Sequence, residues 1–208
     1  MKQIDRIITK LALTTLAVLL AQSLTVSLRA ADTPAAGAKA VELKLDSDTA
    51  VVLDASRNGF PAKTKLLATE PYDSYLLTPV VDGIKQRQDL SALDAAWASA
   101  EDGTTHGIEI QLSQPQRGGR FQVTWAYDTN GPEGIRWWAS REFVIQVKDK
   151  AGDEWKTVVE VKHNQSVVGC YPLPESAFSF VRIYQSAGGG HPQRPNIMWV
   201  GQLELFKD

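Results

Sequence analysis

The sequence FQVTWAY, residues 121–127, places an apolar side chain at every second position. Successive side chains of a β-strand point to opposite faces of the sheet, so this alternation indicates a strand that is buried on one face. Similar segments recur after residue 40, at 41–45, 108–112, 143–147, 155–161, 178–185 and 198–206. Because Gly, Pro and Asp turns separate many of them, the sequence predicts an all-β sandwich or barrel of antiparallel strands.

One segment has a different period. In residues 89–99, Leu90, Leu93 and Trp97 are spaced i, i+3 and i+7, which is typical of a helix. We therefore predict one short helix, lying in a connection between strands. The remaining core predictions are that Cys170 is a buried apolar filler and that four tryptophans belong to the core, namely Trp97, Trp125, Trp155 and Trp199.

Charge and cysteine content exclude several classes of function. The 208 residues contain 22 Lys and Arg against 24 Asp and Glu, which gives a net charge of −2 and argues against nucleic-acid binding. A single Cys excludes an internal disulfide and a cysteine-based zinc site. The three histidines, at 106, 163 and 191, lack the paired spacing of a metalloprotease motif.

The N-terminus has the features of an export signal. Lys2, Arg6 and Lys10 precede an apolar run at 11–26, and small residues follow it at 30–31. This order predicts a signal peptide over residues 1–30, an Ala/Gly/Pro-rich leader over 31–40 and one domain over 41–208. The alternative is an uncleaved membrane anchor. After cleavage we expect a periplasmic or extracellular protein that does not insert into a membrane and does not bind nucleic acid.

Alternating strand direction brings three features to one end of the predicted sandwich. They are His106 at the start of a strand, the loop 128–141 and the loop 162–170. Candidate ligand-binding residues gather there: His106, Arg136, Trp137, Trp138, Arg141, His163 and Asn164.

Flat aromatic rings can cover the apolar face of a sugar, while Arg, His and Asn bond its hydroxyls, so this cluster suits a glycan. Structural roles for the same residues stay open. Adjacent Trp137 and Trp138 cannot both point inward from an extended chain, so one of them is a candidate for the core. Arg141 could form a surface ion pair, and His106 could be a histidine satisfied at a strand end.

The chain resembles the discoidin, or coagulation factor V/VIII type C, family over residues 68–206. The resemblance rests on the order of VVDG (80–83), WAS (97–99), IEIQL (108–112) and FVIQV (143–147), followed by FVRIY (180–184) and VGQLEL (200–205). It implies a jelly-roll-like, galactose-binding-like β-sandwich, as found in many carbohydrate-binding modules. It also implies binding of glycans, lipid head groups or proteins through loops at one end, and no catalytic residues.

The same resemblance implies one structural calcium ion, held between the Asp-Gly loop and the final strand. Asp82 matches the family's carboxylate, and Gln202 aligns with its acidic residue in that strand. Ala95 stands where the family usually has a hydroxyl residue. Calcium takes six or more oxygen ligands, several of them charged, so both the presence and the absence of the ion stay open.

These observations favour an exported, non-catalytic carbohydrate-binding protein. A protein–protein or adhesion module of the same fold is the alternative, with the tryptophans as the centre of its interface. A small hydrolase is a third possibility, and its candidate carboxylates are Asp128, Glu133 and Glu142. No defined spacing pairs these carboxylates, as a glycosidase would require.

Overall fold

The computed structural model describes residues 41–84, 95–131 and 134–207, without the side chains of 128–131 and 134–135. Twelve strands lie in this part of the chain, together with one 3₁₀ helix at Thr78–Val81. The strands are β1 (Leu45–Val52), β2 (Lys65–Thr69), β3 (Trp97–Ala98), β4 (His106–Gln116), β5 (Arg120–Trp125), β6 (Tyr127–Gly131), β7 (Gly134–Trp137), β8 (Phe143–Lys148), β9 (Lys156–Val161), β10 (Val168–Pro172), β11 (Phe178–Gln185) and β12 (Trp199–Phe206).

Two antiparallel sheets form the sandwich. The larger sheet has the order β1-β2-β4-β11-β8-β9, and the smaller has the order β10-β5-β12-β3. Strands β6 and β7 pair separately as a hairpin. The all-β prediction is confirmed.

The inner faces of the two sheets bury one apolar core. Trp125 of β5 packs edge-on against Phe143 of β8, with ring centroids 5.0 Å apart. Ile110 and Ile183 of the larger sheet are fully buried, as is Val123 of the smaller sheet. Each of these residues is an apolar position of the alternating pattern, so burial of one strand face in the core explains that pattern.

The predicted helix over 89–99 is wrong at its C-terminal end. Trp97 and Ala98 form strand β3, where Trp97 pairs with Val200 of β12. The spacing of Trp97 from the two leucines suits a helix, but pairing with β12 buries its ring almost completely. Residues 89–94 lie outside the described part of the chain.

Three strand boundaries also differ from the prediction. The first strand begins at Leu45 rather than at 41, and Val41 instead accepts a hydrogen bond from Arg182 Nη2 at 3.0 Å. The predicted loop 128–141 contains most of the β6–β7 hairpin. The predicted loop 162–170 ends inside β10, because Val168–Pro172 pairs with β5.

Cys170 is exposed, which corrects the prediction that it is buried. It lies on β10, at the edge of the smaller sheet. Of the four tryptophans expected in the core, Trp97, Trp125 and Trp199 are buried. Trp155 is only half-buried, with the Arg182 guanidinium 4.3 Å and the Lys148 ammonium 4.4 Å from its ring centre.

The predicted signal peptide and leader, residues 1–40, lie outside the described residues. The described residues all belong to one compact unit of the chain. No helix within the described ranges is long and apolar enough to cross a membrane.

Candidate functional site

One end of the sandwich gathers the segments that strand direction indicated. His106, at the start of β4, pairs with Gln185 at the end of β11, and Phe143, at the start of β8, pairs with Val161 at the end of β9. The segment before β8 and the segment after β9 therefore meet. Their contact is direct, since Asn164 N donates a hydrogen bond to Arg141 O at 2.8 Å.

A third segment, residues 186–198, joins this end between β11 and β12. Its Gly189 carbonyl accepts hydrogen bonds from both Arg141 N and Glu142 N, at 2.8 and 2.9 Å. At Gly190, a Cβ atom would lie within 3.0 Å of three carbonyl oxygens, so no residue with a side chain fits at this position. The turn that follows, closed by Arg194 N donating to His191 O at 2.8 Å, places the side chains of His191 and Arg194 at this end.

Five aromatic side chains form a continuous cluster at this end, which we call the aromatic cluster: Tyr72, Tyr75, Trp138, His191 and Trp199. Trp199 is its buried centre, with Tyr75 edge-on at 5.2 Å and Trp138 stacked at 5.9 Å. Tyr72 lies 6.5 Å beyond Tyr75, and His191 lies edge-on to Trp138 at 5.1 Å. Trp138 is half-buried and Tyr72 is 39% exposed, so both can meet a ligand.

Two guanidinium groups border the aromatic cluster. Arg194 lies 5.1 Å from the ring centre of Tyr72 and 5.5 Å from that of Trp199, while Arg136 lies 5.4 Å from that of Trp138. Glu101 holds Arg194 with two hydrogen bonds, of which Nε to Oε1 measures 3.2 Å. This bonding lowers the pKa of the Glu101 carboxyl below its ordinary value. The arrangement fixes a cation over aromatic faces at the protein surface.

His191 has an uncharged imidazole at neutral pH. Burial and the positive charges of Arg136 and Arg141 lower its pKa below the ordinary value. Gln193 N donates a hydrogen bond to His191 Nδ1 at 3.3 Å, which assigns the proton of the neutral ring to Nε2. The ring can therefore donate one hydrogen bond to a ligand.

Only two of the predicted ligand-binding residues belong to this cluster and its border, namely Trp138 and Arg136. Trp137 is half-buried and contacts Tyr127 across the hairpin, with ring centroids 4.9 Å apart. Arg141 is half-buried, and its Nε is buried without a hydrogen-bond partner. Its charge reaches His191, so it lies near the cluster.

The other three predicted residues are placed differently. His106 is 2% exposed, with Nε2 3.2 Å from Asp102 Oδ1, and burial lowers its pKa. Asn164 is buried, and its Nδ2 donates to the carbonyl oxygens of Ser140 and Ser166 at 3.0 Å each. His163 is exposed, in a left-handed backbone conformation with φ of 58°.

Sequence reasoning did not identify Tyr72, Tyr75, Glu101, His191, Arg194 or the role of Trp199. A signal existed for two of them. The Gly/Pro-rich segment 186–197 follows a strand predicted to end at Gln185, so the same direction argument would have placed His191 and Arg194 at this end. The tyrosines and Glu101 lie in segments without a comparable pattern.

Asp82 and Gln202, the positions that the resemblance assigned to calcium, are in direct contact. Gln202 Nε2 donates a hydrogen bond to Asp82 Oδ1 at 2.8 Å. Within the described part of the chain, no group of three or more His, Cys, Asp and Glu side chains could hold a metal ion. These residues do not fit calcium as arranged, because an N–H donor points at the oxygens that would have to bind the ion.

Comparison with known proteins gives matches among solved structures. No protein-family profile and no curated protein matches the chain. Chitosan-binding module 1 of a chitosanase/glucanase from Paenibacillus sp. IK-5 matches with a TM-score of 0.54 and 15% identity, over 73% of this chain and 99% of that one. The chain shares its β-sandwich fold.

Two further structures contain the same fold. The Clostridium perfringens module CpGH89CBM32-5, in complex with GalNAc-β-1,3-galactose, has a TM-score of 0.50 and 13% identity, over 69% of this chain and 95% of that one. A GH29 fucosidase of Ruminococcus gnavus, in complex with fucose, has a TM-score of 0.54 and 11% identity, over 74% of this chain and 27% of that one. At these identities the likeness shows the fold alone.

Proposed function

We propose that this is an exported, non-catalytic carbohydrate-binding protein whose glycan lies on the aromatic cluster. The observation that carries the proposal is the half-buried Trp138, stacked on Trp199 and bordered by Arg136, His191 and Arg194. The solved structures that share this fold include a chitosan-binding module and a module in complex with GalNAc-β-1,3-galactose. We also propose membership of the discoidin family, which the sequence motifs favour.

The chemistry of the aromatic cluster suits a sugar longer than one ring. Trp138 stacks directly on the buried Trp199, whereas Tyr72 packs against Tyr75, which in turn contacts Trp199, so a ligand that contacts both outer rings would span the cluster. Apolar C–H faces of the sugar would lie on the two outer rings. Hydroxyl groups would accept from Arg194 and His191, since both side chains present N–H donors.

The ionisation of the nearby carboxyl groups supports binding without hydrolysis. A glycosidase needs a carboxylic acid that keeps its proton near neutral pH, opposite a second carboxylate. Hydrogen bonds lower the pKa of Glu101, through Arg194, and that of Asp102, through Thr104. Both carboxyl groups are therefore ionised, and neither can act as the general acid.

A glycan array followed by calorimetry tests the proposal. Trp138→Ala should weaken binding by about 1–3 kcal/mol, as for other aromatic anchors. Trp155→Ala is the matched control, because Trp155 is also half-buried beneath cationic side chains but lies against Arg182 of the larger sheet. Equal affinity of the two variants would contradict the proposal. Absence of any glycan ligand would favour the protein–protein alternative.

Export is tested separately. The order of charged, apolar and small residues over 1–31 supports cleavage before Ala31 or Asp32. Mass spectrometry of the protein recovered outside the cytoplasm should give a mature N-terminus at one of these residues. Soluble protein that retains Met1 would contradict export by this signal.

A further inference from the structure

The side-chain amide of Gln202 lies at a point where three oxygen atoms converge. Its Nε2 donates to Asp82 Oδ1 at 2.8 Å, to the carbonyl oxygen of Pro79 at 2.5 Å and to that of Ile84 at 3.3 Å. Gln202 is 2% exposed, so water does not compete for these contacts. Three oxygens around one nitrogen is an arrangement that a small cation would otherwise occupy.

The amide oxygen of Gln202 is held as firmly as the nitrogen. Oε1 accepts hydrogen bonds from Asn58 Nδ2 at 2.7 Å and from Gly83 N at 3.2 Å. Asn58 Nδ2 also donates to Leu203 O at 2.9 Å, which fixes the orientation of that amide. If Gln202 rotated to present Oε1 to a metal ion, Asn58 Nδ2 and Gly83 N would both lose their bond to Oε1, so the observed rotamer is the satisfied one.

The charge at this point agrees with an amide rather than a divalent ion. Among the described residues that meet at this point, Asp82 supplies one negative charge and Gln202 supplies none. The two N–H groups of the Gln202 amide are shared among one carboxylate and two carbonyl oxygens, which an uncharged donor can do without adding charge. A divalent cation at the same buried point would leave a net positive charge, which is costly to bury. A glutamate at position 202 would remove that excess.

We propose that the Gln202 amide replaces the structural calcium ion that the discoidin resemblance implies. It ties the loop 79–84 to strand β12 by hydrogen bonds, so the folded protein neither requires nor binds calcium at this point. This inference does not depend on the proposed glycan site, because none of the residues bonded to the Gln202 amide belongs to the aromatic cluster.

Thermal unfolding of the full chain tests the proposal. The melting temperature of the wild-type protein should be the same in EDTA and in millimolar calcium chloride, and elemental analysis after dialysis should find no calcium. Gln202→Glu creates two facing carboxylates among the same carbonyl oxygens. Its melting temperature should fall by at least about 4 °C in EDTA and recover with calcium, but not with equimolar magnesium.

Gln111→Glu is the charge-matched control, since Gln111 is exposed on β4. It should respond to neither ion. If Gln202→Glu folds only when calcium is present, that outcome supports the proposal equally. A wild-type melting temperature that falls in EDTA and rises with calcium would overturn it. So would a Gln202→Glu variant that is indifferent to calcium, whether or not it folds.

Discussion

Trp138 and Trp199 stack with their rings 26° apart and their centroids separated by 5.9 Å. Trp199 is the first residue of β12, whereas Trp138 directly follows the β6–β7 hairpin. The backbone reinforces the contact, because Trp138 N donates to Ala126 O at 2.8 Å and Ala126 N donates to Trp199 O at 3.4 Å. The Trp138 ring, which we propose to bind the ligand, is therefore held against the smaller sheet by its stacking on Trp199 and by these backbone hydrogen bonds.

The first prediction distinguishes the structural role of Trp199 from the proposed binding role of Trp138. Trp199→Ala should destabilise the fold by about 3–5 kcal/mol, because it removes a large buried side chain that packs with the buried residues Tyr75, Ala98 and Ile197. Trp138→Ala should cost less stability, because its ring is half-buried. Urea unfolding of both variants measures the difference. A larger loss of stability at Trp138 would place that ring in the core and remove it from the binding surface.

The second prediction concerns Arg194. Glu101→Gln removes the charged partner that orients the guanidinium over Tyr72 and Trp199. Glycan affinity should fall several-fold while the melting temperature changes little, because partly exposed ion pairs contribute little to stability.

Asp54→Asn is the control for that variant. It breaks the Arg57–Asp54 pair, which is also a surface arginine–carboxylate contact, at 3.1 Å. The pair lies outside the aromatic cluster, so affinity should not change. If the two substitutions have the same effect on affinity, Glu101 does not position Arg194 for the ligand.

The third prediction is a pH dependence of stability. Burial lowers the pKa of His106 in the folded state, although the nearby Asp102 opposes the change. The unfolded chain therefore binds a proton more readily than the folded protein, and stability should fall as the pH drops through about 6.5, the ordinary histidine value. His106→Gln should flatten this fall in urea midpoints measured from neutral to mildly acidic pH.

Part of the slope should survive in that variant, because the pKa of His191 is also lowered, by burial and by two arginines. Glu109 acts in the opposite direction, since burial raises the pKa of its carboxyl. The comparison between wild type and variant isolates His106. An unchanged slope would show that His106 does not resist protonation in the folded state.

The fourth prediction concerns the contact between the loop before β8 and the loop after β9. Asn164→Ala should destabilise the protein by about 1–3 kcal/mol, because it leaves the buried Ser140 carbonyl without its donor. Gln165→Ala, at the exposed neighbouring position, should have little effect. Chemical unfolding monitors both. Equal stability of the two variants would show that the Asn164 amide does not hold the loops together.

The strands that the sequence predicted well are those whose apolar residues alternate along the chain. Residues 178–185 were predicted as a strand and form β11 with the same bounds. Strand β2, with the sequence KLLAT, was not predicted because its apolar residues do not alternate clearly. Strand β10, with the sequence VGCYP, was not predicted because it is short and contains Gly and Pro. Both are recruited by pairing with β4 and β5, which a local pattern does not reveal.

The location of the candidate site was predictable, but its composition was only partly so. Strand direction follows from the order of alternating segments, and it identified the end that carries Trp138 and Arg136. Whether a loop side chain points outward depends on backbone turns and on partners distant in sequence. Asn164 and His106 are buried by such partners, while His191 and Arg194 reach the surface through the turn after Gly190.

The outer strands of the two sheets limit how copies of this protein can associate. Strand β1 carries Asp46 and Asp48 and breaks its register between Asp46 and Val51. Strand β9 carries Lys156 and Glu160, and β10 ends in Pro172, which has no N–H to offer. Charges, irregular register and proline oppose the addition of another strand. Edge-to-edge joining through β1, β9 or β10 into longer sheets, the first step of fibrous aggregation, is therefore disfavoured.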